Sequence, residues 1–181
     1  MRFLVVFAAS ITAVLLAVPV ATPSAATNIE RRATLEAAVT RELNRVRSAR
    51  GLRALRVAPS LRTAARTHSR AMLAHGFFGH DSADGTDFSA RIRRYYTNRG
   101  WSTWSVGEAL LASQARDVEA RTIVTAWLNS PSHREIILSP TWRDAGIGVL
   151  YAPTAPHEYA GAEAVVVTAD FGRREGRASL P

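Results

Sequence analysis

The stretch Trp127–Leu138, WLNSPSHREIIL, decides how this chain is read. An amphipathic helix ends in Trp127 and Leu128. Ser130-Pro131-Ser132 breaks it, and Pro131 suits the first turn of a new helix because that turn needs no backbone donor there. A short helix then runs through Leu138, with His133 in its first turn. The helix dipole disfavours a cation at that end, so His133 is expected neutral and able to ligate. Two other segments place polar side chains at similar boundaries. Phe77–Thr86, FFGHDSADGT, presents His80 in a loop of Gly and Asp, and Ser105–Leu111, SVGEALL, presents Glu108 after Gly107. Two histidines and a carboxylate at element boundaries are the raw material of a metal or acid/base site.

Working outward, Leu35, Val39, Leu43 and Val46 mark one face of a helix that stops at Gly51. Pro59-Ser60 opens a second helix, with Leu61, Ala65, His68, Met72 and His75 on its inner face and Gly76 at its end. His68 and His75 are expected to pack in the core or cleft wall, since a metal pair on a helix needs a spacing of three or four. Thr86 or Asp87 caps a third helix with Phe88, Ile92 and Tyr95 inward, and Asp117 caps a fourth. Ser132 and Glu135 are spaced like a capping box on the short helix after it. Val106–Leu111 reads as a strand carrying Glu108. Ala145–Tyr151 and Ala164–Phe171 are the clearest strands, rich in β-branched residues and joined by a hairpin loop. Helices leading to a small antiparallel sheet give an α+β class.

Composition removes several chemistries. The chain has no cysteine, so disulfides, thiol catalysis and thiolate metal sites are excluded. All 23 basic residues are arginine, which excludes a lysine nucleophile, and the formal net charge is +8. The arginines are scattered, without an aromatic-interleaved basic motif, so nucleic acid is not the expected partner. An anionic cell envelope suits the charge better. There is no His-Glu-x-x-His helix, Gly-x-Ser-x-Gly elbow, phosphate loop or dinucleotide fingerprint. Arg2, the apolar run Phe3–Val20 and the small residues Ala21–Ala26 read as a secretory signal over 1–26, cleaved after Ala25 or Ala26. Residues 27–34 are then a lead-in, 35–172 one domain, and 173–181 a flexible tail.

The run Glu42–His80 (ELNRVRSARGLRALRVAPSLRTAARTHSRAMLAHGFFGH), the His80 loop, the Glu108 strand and the His133 segment follow one another in an order that resembles the CAP superfamily, the SCP-domain proteins, and its bacterial secreted branch in particular. The resemblance covers roughly Leu35 to Phe171. It implies a three-layer α-β-α sandwich with a small antiparallel sheet. It also implies a cleft in which His80 and His133 hold a divalent metal, zinc foremost, in a weak and open site, with Glu108 as a possible general base. Partial burial is expected to raise the Glu108 pKa toward that task. Asp81, Asn129, Ser130 and Trp142 are the expected supporting residues, Asp81 or a backbone carbonyl fixing the His80 tautomer and Trp142 lining the cleft beside His133. Ala109 stands where the family's motif has Asn after Gly-Glu, and Ser130 stands where animal and plant relatives carry a second Glu. The implied function is a secreted binding protein for a lipid, peptide or cell-wall fragment. A metal-dependent hydrolase using the same cleft, or an effector acting through protein contacts, are the alternatives.

Overall fold

A computed structural model describes residues 28–177, so the expected leader at 1–26 lies outside the described residues. In chain order the elements are β1 (Glu30–Arg31), α1 (Ala33–Ser48), β2 (Arg56–Val57), α2 (Pro59–His75), α3 (Phe88–Arg93), β3 (Trp101–Ser113), α4 (Ala120–Asn129), α5 (Pro131–Leu138), β4 (Asp144–Ala152) and β5 (Ala164–Arg177), with a 3-10 turn at His157–Tyr159 before β5. The sheet runs β1-β4-β5-β3, antiparallel throughout, and β2 pairs with β4 in parallel. β3 is therefore one edge. β1 and β2 share the other side of β4, near its opposite ends.

The period-2 alternation of β5 sorts the layers. Val165, Val167, Ala169 and Phe171 join the core shared with α1, α4 and α5, including Val39, Leu43, Ile123, Trp127 and Ile137. Val166 packs with Met72 and Leu73 of α2 and Leu110 of β3 on the opposite face. The result is the α-β-α sandwich implied by the resemblance. Trp127 is 1% exposed, and its indole N–H donates to the Leu110 carbonyl at 2.9 Å. Truncating so large a buried ring costs about 3–5 kcal/mol in comparable cores. α2 lies directly on β4: a Cβ at Gly146 would come within 2.0 Å of the Arg62 backbone nitrogen, and one at Gly148 within 2.4 Å of that of Arg66. Only glycine permits that approach.

Several local expectations change. β3 starts at Trp101, ahead of the expected strand, and β5 continues to Arg177 instead of giving way to a tail at Arg173. The two extensions pair with each other from Trp101↔Arg177 to Ser105↔Arg173, so each supplies the ladder partner that the other lacked as an isolated sequence. The lead-in is also structured, since β1 pairs with Leu150 and Tyr151. Asp87 caps α3, its carboxylate accepting from the backbone N–H groups of Ser89 and Ala90. Asp117 caps nothing: α4 begins after Glu119, and Asp117 lies 3.9 Å from Arg32. α5 is capped at Ser130 without a side-chain hydrogen bond, and Ser132 and Glu135 both fall inside the helix, so no capping box forms. His75 is exposed at the end of α2, whereas His68 is buried as expected.

Candidate functional site

Gly107 and Glu108 sit back to back on β3. At Gly107 the Trp142 ring closes so tightly that a Cβ would meet its Cζ2 at 2.7 Å. Trp142 also stacks on Phe171 and donates its indole N–H to the Ile136 carbonyl at 2.8 Å, tying α5 to the sheet. It is a buried support behind the strand and not a cleft wall. Glu108 points to the other face, with 1% of its side chain exposed. There Arg91 of α3 donates from Nη2 to Glu108 Oε2 at 2.5 Å and to the His80 carbonyl at 3.2 Å. His80 Nδ1 lies 2.8 Å from Glu108 Oε1. An ionised carboxylate only accepts, so Nδ1 carries the hydrogen and donates, leaving Nε2 as the outward nitrogen.

The loop that carries His80 is held from behind. His68 Nε2 is 2.9 Å from the Gly79 carbonyl and so donates to it, while the His80 ring tilts against Phe88 at 6.2 Å. His133 reaches the same opening from α5. Together His80, Phe88, Glu108, Ser132, His133 and Ile136 line a pocket of about 250 Å³ at the β3 edge of the sheet. The two histidines and the carboxylate expected to converge do converge. Asn129 and Asp81 are exposed and contribute no lining atom; Glu108, and not Asp81, sets the His80 tautomer. Ser130 stands one step back, its hydroxyl 3.3 Å from that of Ser132, which takes the lining position.

Electrostatics reverse one expectation. Burial pulls the Glu108 carboxyl upward, but the hydrogen bond from His80 and the positive charge of Arg91 outweigh it, and the group is held below the ordinary carboxylate value. Glu108 is thus an ion-paired anion with both oxygens engaged, not a proton acceptor poised near neutrality. The His80 imidazole is raised, chiefly by its bond to Glu108. The His133 imidazole is lowered, by burial and then by the nearby His80. The pocket therefore presents one imidazole that holds its proton more tightly than usual and one that holds it less tightly.

Two residues of this centre escaped the sequence reading. Arg91 lies three positions after Phe88, on the face already assigned inward, and that spacing was the available signal. Asp170 sits directly opposite Glu108 in the β3–β5 ladder and is wholly buried. Neither of its oxygens receives a hydrogen bond from a protein donor. Burial, and then the negative charge of Glu108, raise its pKa well above the ordinary carboxylate range. Its signal was a lone carboxylate inside the apolar strand AVVVTADF, the same argument that singled out Glu108.

The histidines supply two nitrogen donors for an ion, with Glu108 already engaged. Among the described residues no group of three or more His, Asp or Glu side chains is placed to hold a metal. The donor set fits an open site completed by water or ligand, and not a closed structural one.

The sequence profile of the CAP family (cysteine-rich secretory proteins) matches residues 40–171. The chain belongs to this family. No curated protein matches it. Among solved structures, an outer surface protein from Borrelia burgdorferi is similar at 23% identity and a TM-score of 0.58, over 76% of this chain and 90% of that one. An extracellular SCP-domain protein from Bacillus anthracis matches at 21% identity and a TM-score of 0.60, over 78% of this chain and 41% of that one. A cysteine-rich secretory protein from Staphylococcus aureus matches at 14% identity and a TM-score of 0.52, over 80% of this chain and 39% of that one. The chain thus spans about two fifths of the last two proteins. At these identities the likeness is one of fold. This member of the CAP family has no cysteine.

Proposed function

We propose that this chain is an exported protein of the bacterial envelope whose His80–His133 cleft binds a small ligand without turning it over. The carrying observation is that both oxygens of Glu108 are engaged, one by Arg91 and one by His80. A carboxylate so held orients an imidazole; it does not abstract a proton from water at neutral pH. The pocket walls support recognition of a ligand with an apolar part, set against Phe88 and Ile136, and an acceptor group, set toward the imidazoles. A lipid, a peptide or a cell-wall fragment meets that description. The net charge of +8 favours residence beside an anionic envelope through a salt-sensitive attraction. Export is supported by the N-terminal leader pattern, and two of the similar structures are described as outer-surface or extracellular proteins.

A divalent ion, zinc foremost, is a second occupant favoured by a specific observation. The Glu108 bond fixes His80 in the tautomer with Nε2 outward, the arrangement that orients metal-bound histidines. His80 Nε2 and a nitrogen of His133 would hold the ion. Zinc would supply a Lewis acid toward an oxygen of the ligand. Calorimetry of zinc into the full chain tests this reading. The expected result is weak uptake that disappears in the His80→Ala, His133→Ala double variant. Uptake unchanged in that variant would remove zinc from the cleft. Native mass spectrometry of the purified protein tests the ligand: a bound small molecule lost in the same variant is expected. Its retention there would overturn the assignment of the pocket.

A further inference from the structure

A second charged hollow lies at the opposite edge of the sheet from the histidine cleft. It measures about 380 Å³ and is contributed by β1, α1, β2, α2 and β4. Four guanidinium residues line it: Arg31 of β1, Arg41 of α1, and Arg62 and Arg66 of α2. The glycines that bring α2 against β4 also bring Arg62 and Arg66 to this edge, because Gly146 and Gly148 lie under those two residues.

Among the described residues only one carboxylate, Glu36, shares the hollow, and it is fully used. It is 4% exposed. Its Oε1 accepts from Arg66 Nε at 2.9 Å and from the Val149 backbone N–H at 3.3 Å, and its Oε2 accepts from Arg66 Nη2 at 2.5 Å. That fork-on-fork pair fixes Arg66 and cancels its charge. Among the described residues Arg31, Arg41 and Arg62 have no carboxylate partner at all. Three arginines from three different elements thus face one hollow with their charge uncompensated. Half-exposed Val57 forms an apolar flank.

We propose that this hollow is a binding site for phosphate groups, either free or within a polyphosphate chain. Guanidinium forks match the tetrahedral oxygens of phosphate bidentately. Three uncompensated charges suit a multiply charged oxyanion better than a single carboxylate, which would leave part of the charge unpaired. The volume admits one phosphate and its neighbouring group, with Val57 beside the non-ionic part. The site needs no residue of the histidine cleft, so its failure and that of the cleft are separate.

Calorimetry of the full chain with inorganic pyrophosphate, at low and at moderate salt, tests the site. Removing a guanidinium that makes charged hydrogen bonds is expected to weaken affinity about tenfold. The Arg41→Gln, Arg62→Gln double variant should therefore fall about a hundredfold. The Arg93→Gln, Arg94→Gln variant, on an exposed surface elsewhere, should bind as the parent does, and so should His80→Ala. Equal losses in the Arg93/Arg94 control, or unchanged binding in the Arg41/Arg62 variant, would reduce the effect to diffuse attraction and overturn the proposal. A parallel titration with long-chain polyphosphate separates the sources. Tighter binding per phosphate than pyrophosphate, lost in the same variant, points to a polymer. Equal binding points to a free phosphate. Absence of pyrophosphate binding at either salt refutes the site. The Arg41→Gln single variant, changed only on an exposed helix face, guards against misfolding of the double variant and should itself lose about tenfold.

Discussion

Replacing Arg91 by Met is the sharpest probe of how the cleft is built. Met is close in length and apolar, so the change removes the charge and donors while filling much of the space. The Glu108 carboxylate, 1% exposed, then keeps only the half-exposed His80 as a partner. Breaking a buried pair by deleting one member costs about 3–5 kcal/mol, because the other charge is left uncompensated. One contribution works the other way. Arg91 Nε and Nη1 are buried without protein partners, and their removal relieves a desolvation cost in the parent. The expected loss is therefore at the low end, about 3 kcal/mol at pH 7. The pH dependence carries the stronger signature. In the parent the Glu108 pKa is lowered, so its contribution is present above the unfolded-state value and fades as pH falls through the folded one. Without Arg91, burial is opposed by His80 and His68 alone, so that pKa lies above the parent's. The stability gained as pH rises through the carboxylate range is therefore smaller in the variant than in the parent. Urea unfolding at pH 5 and pH 7 reads both effects. The Arg91→Met, Glu108→Gln double variant should recover part of the loss, since it leaves no orphan anion. A loss under about 1 kcal/mol with the parent's pH slope, or no recovery in the double variant, refutes the buried ion pair as the organiser of the site.

Two further outcomes follow from the same centre. Asp170→Asn keeps shape and a donor while removing a carboxyl whose folded pKa lies well above its unfolded value. The parent loses stability as pH rises from the unfolded value toward the folded one, so the variant should gain on the parent over that interval in urea melts; a constant difference between acid and neutral pH would count against a protonated Asp170. In NMR titrations of histidine Cε1 resonances, His80 should titrate above 6.5 and His133 below it, and the inverted order would show that Glu108 does not hold His80 as described.

The layers of this fold were legible because they are written in local periodicity. Leu35 to Val46, the α2 stripe and the β-branched β5 each bury a face that the sequence alone displays. The extension of β3 and β5 was not, because Trp101–Ser105 and Arg173–Arg177 are polar or Arg-rich, and what makes them strands is each other. Pairing between segments so far apart in the chain leaves no mark in either one. The same limit applied to the site. His80, Glu108 and His133 stood out at element boundaries, yet the partner that decides the chemistry of Glu108, Arg91, looked like one arginine among many. Burial without a visible partner suggested a raised pKa; burial with a guanidinium at 2.5 Å gives a lowered one.

That reversal bears on what the cleft has been built to do. A general base needs a carboxylate with a free lone-pair direction toward substrate and a pKa near the working pH. Glu108 has neither. Its charge holds His80 in place and anchors α3, and it raises the pKa of the buried Asp170 opposite it in the ladder. The Glu108 charge thus lies between the Arg91 guanidinium and the Nδ1–H of His80, and the imidazole nitrogens left open in this cleft are those of His80 and His133. Glu108→Gln separates the alternatives. If position 108 orients His80, the amide oxygen of the substituted side chain still accepts from the imidazole, and zinc or ligand binding is weakened without being abolished. If Glu108 is a base, its loss leaves binding intact and removes turnover. A Glu108→Gln variant with full affinity and a lost hydrolytic activity would therefore sink the binding reading.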